Sequence, residues 1–391
     1  MKKNLLFSLL FLALTMFISC GDDTKTSDND ADDNLTDDSL IDDVVNDEDI
    51  AIINHYAGSG SKGDLITFEI NQTTGTYKTF NETTEVESSG SYEVLSEELA
   101  GMYKITDGSD AFYAVELNDK IIAANFDTGN ADNTISFGVT SETDYAGNIS
   151  AIAGSYVYIH ISAQPVNGEE DIKEWGIYSV GTDQSVIIKA YATAPGSVSQ
   201  MEAFAPEDFD TPLPLTAGDI TGNWKKSESD ELRMEINLDG VGAPLTGFAM
   251  TENDRSVMVI DMGTGNGFIL GFKIEDTQIA DIAGEYKFIN VWNDDNGEGR
   301  SAGKVVIDPE GKSYFSHLAL TGVISTGEFE NIEKCPNIGN MYYGTTTETD
   351  GVNVVNEKIY FVVLGDMFMA FGFRTDNEKF SFASYAAGAK I

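Results

Sequence analysis

The chain has 391 residues, with 65 acidic against 23 basic side chains and a formal charge of −42. A field of that sign repels phosphate backbones and anionic lipid head groups, so it excludes nucleic acid as a partner and a basic patch as a membrane tie. The 372 residues that follow position 19 are enough for two or three domains, each with its own core.

The first twenty residues are of a different kind from the rest. Lys2 and Lys3 form a basic start, and residues 5–18 are almost unbroken apolar sequence closed by Phe17-Ile18-Ser19-Cys20. Such a run is too short for a bilayer core of about 30 Å, which takes roughly 20 helical residues. It has the order and length of a secretory signal peptide. The small residue followed at once by Cys20 resembles the lipobox of bacterial lipoproteins. That resemblance implies removal of residues 1–19, acylation of Cys20 and anchoring in the bacterial outer membrane through lipid chains. It departs from the commonest lipobox at Phe17 and Ile18. Cys335 is then the only thiol left, so no internal disulfide can form, and a buried or inert thiol is expected there.

Residues 21–50 carry twelve Asp and one Glu against the single base Lys25. Their apolar surface is too small to offset the entropy of ordering, and like charges extend them. The expectation is a disordered acidic tether over residues 20–50. Asp22 and Asp23, directly after Cys20, also resemble the surface-export signals of some bacterial lipoproteins.

From residue 51 the apolar period is two. Arg233-Met234-Glu235-Ile236-Asn237-Leu238 alternates strictly, and Ile66, Phe68 and Ile70 share a face opposite Thr67 and Glu69. Residues 360–364 and 368–373 are apolar on both faces and belong in the most covered part of a sheet. The body is all-β, and it repeats. Asn118-Asp119-Lys120, Asn253-Asp254-Arg255 and Asn356-Glu357-Lys358 each precede an apolar strand, as hairpin turns do. Each copy carries Gly-x-aromatic (Gly90, Gly222, Gly327) and later an apolar–Gly–apolar triplet at Gly138, Gly271 and Gly372, with separations of 48, 49 and 45 residues. Gly63, Gly176 and Gly303 each open a strand. Ile152-Ala153-Gly154-Ser155-Tyr156 and Ile282-Ala283-Gly284-Glu285-Tyr286 match 130 residues apart. The modules fall at 51–148, 149–278 and 279–391. Residues 194–217, with Pro195, Pro206, Pro212 and Pro214, make a loop outside the sheet.

Each module has room for seven or eight short antiparallel strands, forming a barrel or a sandwich. The Gly-x-Trp/Tyr element resembles lipocalin-like small barrels, in which an aromatic closes one end. The alternative is a six-bladed β-propeller, since residues 62–70 with Thr74-Gly75-Thr76-Tyr77 resemble one blade of lactonase-type propellers. The three-module reading is preferred.

No catalytic residue is assigned. Gly58-Ser59-Gly60-Ser61-Lys62-Gly63 fits a dinucleotide fingerprint but precedes a strand where that site needs a helix. Gly299-Arg300-Ser301-Ala302-Gly303 fits a nucleophile elbow, with Asp308 and His317 in hydrolase order, yet a strand again follows. His55, His160 and His317 have no partners at zinc-ligand spacing. No cofactor is expected, and calcium is the one ion this composition leaves open; Asn293-Asp294-Asp295-Asn296-Gly297-Glu298 is oxygen-rich but misses EF-hand spacing. Trp292, with Asp294 and Asp295 beside it, is the candidate ligand-binding stretch, its indole able to stack on a sugar ring. Trp224 reads as core. The functional expectation is a non-enzymatic, membrane-anchored envelope lipoprotein that binds a glycan or a protein, or serves structurally; the alternative is an exported hydrolase or lactonase built on the propeller.

Overall fold

The computed structural model describes residues 51–95, 101–107, 110–117, 119–125, 135–140, 149–162, 174–193, 220–228, 230, 233–252, 254–294, 297–319, 323–335, 339–349, 354–374 and 382–390. The leader, Cys20, the acidic tether, the proline-rich loop at 194–217 and Asp295 lie outside the described residues.

Three closed antiparallel barrels of eight strands follow one another. Barrel 1 comprises β1 (Ile53–Gly60), β2 (Leu65–Asn71), β3 (Thr76–Asn81), β4 (Val86–Val94), β5 (Met102–Asp107), β6 (Asp110–Leu117), β7 (Ile121–Ala124) and β8 (Ser136–Thr140). Barrel 2 comprises β9 (Gly154–Ile161), β10 (Glu174–Val180), β11 (Ser185–Thr193), β12 (Ile220–Lys226), β13 (Met234–Leu238), β14 (Leu245–Glu252), β15 (Arg255–Asp261) and β16 (Phe268–Lys273). Barrel 3 comprises β17 (Gly284–Asp294), β18 (Gly297–Ile307), β19 (Ser313–Ala319), β20 (Ile324–Lys334), β21 (Met341–Thr349), β22 (Val354–Leu364), β23 (Met367–Arg374) and β24 (Phe382–Lys390). In each, the first strand pairs antiparallel with the eighth: Gly58 with Gly138, Tyr158 with Gly271, Phe288 with Gly388. An even number of alternating strands lets the sheet close on itself and leaves no free edge.

That closure overturns the propeller. Blades would leave their edges around one central channel, whereas here every eighth strand returns to its own first strand. The sandwich option for the modules falls on the same observation.

Strand alternation sorts the apolar residues into four clusters. Three are barrel interiors, centred on Phe68 and Tyr103, on Tyr178 and Trp224, and on Phe361 and Phe368. The fourth lies between barrels and draws on the outer faces of all three: Phe137 and Val139, Val259 and Leu270, Val362 and Met369 among others. β6 touches β17, β18 and β24; β1 touches β15; β16 touches β22. This is why residues 360–364 are apolar on both faces. Phe361 and Val363 point into barrel 3, while Tyr360, Val362 and Leu364 are covered by neighbouring barrels. Cys335 is buried in that shared core.

Polar ties run across the same boundary. Ser59 donates to Asp261 at 2.7 Å, Lys120 pairs with Glu252, and Arg233 pairs with Glu82. The tightest approach is at Gly63, which has φ +75° and on which a Cβ would stand 1.8 Å from the Gly263 carbonyl oxygen. The Gly265 N–H donates to the Lys62 carbonyl beside it, at 2.7 Å. Gly63→Ala should therefore lower the thermal midpoint by several degrees, since left-handed strain and an overpacked contact add. A midpoint within one degree of the parent would show that the two hairpins move apart freely.

The repeated Ile-Ala-Gly-x-Tyr element has a defined job. The one-turn helices α1 (Ile149–Ile152) and α2 (Ile279–Ile282) sit where barrels 2 and 3 begin. Tyr156 donates its hydroxyl to the Ile152 carbonyl at 2.6 Å, and Tyr286 to the Ile282 carbonyl at 2.8 Å. A lysine at the end of each eighth strand joins the plug: Lys273 donates to the Ala151 carbonyl, and Lys390 lies over the Tyr286 ring. One end of each of these barrels is thus stopped by a helix turn whose free carbonyl is satisfied from inside.

Two sequence markers need correction. Asp119 and Asp254 do take left-handed backbone in turns, at φ 59° and 67°. Asn356-Glu357-Lys358, however, lies inside β22, the sixth strand of its barrel and not the seventh. Likewise Gly372 is on β23, and the true counterpart of Gly138 and Gly271 is Gly388. Among the strand-opening glycines, Gly176 and Gly303 share a register, but Gly63 is in a turn and Ile66 takes the equivalent place.

Candidate functional site

Because the barrels share a register, their interiors can be compared position by position. Barrel 2 is filled. Tyr156, Tyr158, Tyr178 and Trp224 are all buried, and Tyr156 stacks on Tyr178 at 4.8 Å. An eight-stranded barrel is just wide enough for side chains to fill it or for one small ligand; here the side chains fill it. Trp224 is core, as its repeat position implies.

Barrel 1 departs from the pattern at one place. Glu116 on β6 occupies the inward position held by Ala249 in barrel 2 and Val363 in barrel 3, as the pairings of Ile122, Met258 and Phe368 show. It is 4% exposed. Its carboxylate accepts from the hydroxyls of Tyr56 and Tyr103, from Asn54 Nδ2 at 2.6 Å and from Gln72 Nε2 at 3.1 Å. Both amides also reach Asp119. Burial, then the Glu116 charge, holds the two phenols far above their ordinary pKa, so they remain donors. Tyr56 stands at the register of Tyr156 and Tyr286, and Glu116 gives it the acceptor that a helix carbonyl gives them. The cluster is complete in itself and reads as a plug.

Barrel 3 is different again. α2, Tyr286 and Lys390 stop one end. Above that plug lies an apolar cavity of about 40 Å³, lined by Val305, Ile307, Phe329, Phe361 and Phe368 among others. The inward-facing Phe315, Phe329 and Ile359 are half-buried, so the interior is reached from outside. Phe288 and Phe315 form the next layer, packed against His317 at 6.3 and 6.1 Å between centroids. Gly327 makes room for this layer: a Cβ there would meet the Phe315 ring at 2.3 Å.

Beyond the aromatic layer the inward positions turn polar. Asn290 on β17 faces Ser301 on β18, and the layer continues through His317, Thr346, Glu348 and Glu357. His317 Nε2 is 2.8 Å from Glu348 Oε1. Ser301 and Thr346 are 0% exposed. The Ser301 Oγ, the Thr346 Oγ1 and the Asn290 Oδ1 are buried and make no hydrogen bond to the rest of the described protein. Buried polar atoms are nearly always satisfied, and each exception costs about 1–3 kcal/mol. Tyr178 and Trp224 in barrel 2 also leave a buried polar atom without such a bond, so what sets barrel 3 apart is that three fall in one layer.

The ligand-binding candidates Trp292 and Asp294 fall on this end of barrel 3. Trp292 and Asp294 lie on β17 two and four residues beyond Asn290, paired with Gly299 and Gly297 at the hairpin that forms the rim. Asp295 and Cys20 are outside the described residues. The Ser301, Asp308 and His317 series does not assemble a triad. Asp308 sits in the turn after β18 and binds the Lys312 N–H, and His317 turns to Glu348, leaving the serine without a base. The Gly58–Gly63 motif is the end of β1 and the turn that leads into β2. Among the described residues no group of three or more His, Cys, Asp or Glu could hold a metal ion. Asn290, Thr346, Glu348 and Glu116 were not singled out from sequence. Their signal is a polar residue at an inward position of an otherwise apolar strand.

No family model matches the chain, and neither does any curated protein. Among solved structures it is similar to a protein of unknown function of the DUF3598 family from Nostoc punctiforme, with 10% identity over 64% of this chain and 100% of that one, at a TM-score of 0.22. At that score the likeness carries no argument.

Proposed function

We propose that this protein is an exported bacterial lipoprotein, held at the outer membrane by lipid on Cys20, whose barrel cluster is a non-enzymatic binding body. The observation that carries the binding half is the third barrel. It is stopped at one end, keeps a small apolar cavity above that plug, and bears buried polar atoms with no hydrogen bond to the rest of the described protein. The anchor rests on the leader sequence, and two or three acyl chains on one residue suffice for stable attachment where a single chain does not. Barrels 1 and 2 serve as the mount, and no nucleic acid is among the partners. The glycan or protein ligand expected from sequence narrows to a small molecule, or a small group on a larger one, by the width of an eight-stranded barrel.

The test begins from membranes. Wild-type protein should fractionate with the membrane and carry a mass increment of acyl groups on Cys20, and Cys20→Ser should move to the soluble fraction. Native purification followed by denaturing extraction should release a non-covalently held small molecule. Ala370→Phe, which fills the cavity wall of barrel 3, should carry none. An unmodified thiol at position 20 would end the anchor reading, and purified wild-type protein no richer in bound molecule than Ala370→Phe would end the binding one.

A further inference from the structure

We propose that barrel 1 carries a ligand site of its own, separate from the interior of barrel 3. It is a groove on the outer wall that takes a neutral sugar, one or two rings long, with a ring face laid on Phe80.

The groove follows from strand register. Tyr56, Phe68 and Tyr77 point into barrel 1, so their chain neighbours face outward. Two outward rows cross β1 to β4. One runs Ala57, Thr67, Phe80, Glu87 and the other His55, Glu69, Lys78, each residue opposite the next on the adjacent strand. Ala57 and Thr67 are short, which leaves a dip between the Phe80 ring and the charged row. Barrel 2 adds Asp230 and Arg233 to the lining, and Arg233 is tied to barrel 1 through its ion pair with Glu82. The space is about 440 Å³, and every residue of the two rows lines it. Ligand clefts measure about 300–1,000 Å³, so there is room for a sugar unit. Access is direct: Phe80 is 38% exposed, and His55, Lys78 and Glu87 are exposed with it.

The lining sets the ligand class. Phe80 offers a flat apolar face. Around it, Glu69, Glu87 and Asp230 accept hydrogen bonds, while Thr67, Lys78 and Arg233 donate them. A sugar presents the matching mixture, adjacent hydroxyls that donate and accept around a ring with a C–H face. Ions match it less well. An anion meets three carboxylates in a chain of net −42, and a cation drawn to Glu87 shares the groove with Lys78 and Arg233. The cations are already engaged, Lys78 with Glu69 at 3.2 Å and Arg233 with Glu82 and Asp230. Those pairs hold the charged groups in place before a ligand arrives, so less side-chain freedom is lost on binding. Hydrogen bonds to ionised groups are also about twice as strong as neutral ones.

The experiment uses the mature chain carrying Cys20→Ser, with all three barrels present, and reads binding by ligand-observed NMR and calorimetry. The neutral probes are cellobiose, maltose, lactose and N,N′-diacetylchitobiose; the charged ones are glucuronate and choline. At least one neutral disaccharide should bind at least tenfold more tightly than either charged probe. Phe80→Ala should weaken that sugar about tenfold, and Glu87→Gln about threefold or more. Both positions are at the surface, so each variant should melt with the parent. Tyr314→Ala removes an exposed aromatic from barrel 3, and Ala370→Phe fills the cavity there; both should bind the sugar as the parent does. No binding of any neutral probe, a preference for choline or glucuronate, or unmoved affinity in both Phe80→Ala and Glu87→Gln would each overturn the proposal. Loss of the sugar in Ala370→Phe with Phe80→Ala unmoved would place it inside barrel 3, and overturns the outer-wall site while leaving the binding role of that barrel standing.

Discussion

Val259→Asp should leave little or no folded protein, whereas Val306→Asp should behave like the parent. Both valines face outward from their barrels, so an account in which each barrel stands alone predicts the same small effect for both, within about 0.5 kcal/mol for an exposed position. The structure separates them. Val259 is 0% exposed, set among Phe248 and Leu270 in the cluster shared by three barrels, while Val306 is 37% exposed. An unpaired carboxylate at position 259 costs about 3–5 kcal/mol or more, a large share of the 5–15 kcal/mol by which folded proteins are stable. Soluble yield and urea denaturation of the two variants check this. A Val259→Asp midpoint equal to that of Val306→Asp would mean that the barrels do not bury one another.

A second large loss is expected from Glu116→Ala. The substitution installs the residue that barrel 2 carries at the same register, so size is not the difficulty. It strips the acceptor from the Tyr56 and Tyr103 hydroxyls, both buried, and from the Asn54 and Gln72 amides. With roughly 1–3 kcal/mol per stranded donor and water able to reach the amides, the loss should be about 3–5 kcal/mol by urea denaturation. The triple variant Tyr56→Phe, Tyr103→Phe, Glu116→Ala removes donors and acceptor together and should recover a good part of it. If the triple variant is no more stable than the single one, the cluster is not held together by those hydrogen bonds.

Much of the architecture was legible because strand sequence is periodic and the copies are similar. Alternation at 233–238 and the double-sided run at 360–364 gave strands and their burial, and Gly-x-aromatic fell on the fourth strand of every barrel. What slipped was register in the third copy. Phe371-Gly372-Phe373 and Ala387-Gly388-Ala389 lie on adjacent strands, and both read as apolar–Gly–apolar. The longer hairpins of barrel 3 put the wrong one at the expected spacing. Closure was not legible, because pairing of β1 with β8 is a long-range contact that no local pattern encodes. The site was harder still. Ser301 and His317 were weighed as a nucleophile and its base, roles that adjacent strands in one barrel wall do not give them. Asn290 and Thr346 are ordinary residues until the barrel closes and turns them inward. Trp292 was chosen for its chemistry and lies on the rim strand of the same barrel.

The boundary shared by the barrels also sets how this molecule can change over time. Each barrel closes its own hydrogen-bond ring, so an interior can acquire a glutamate, a wall of tyrosines or a polar mouth without consulting its neighbours. The outward residues gathered in the shared core, such as Phe137, Val259 and Val362, have no such licence, since a change there is felt by another barrel. Duplicated units of this kind are free to specialise from within while remaining locked together from without, and the descendants of one module should diverge fastest along the positions that look into their own lumen.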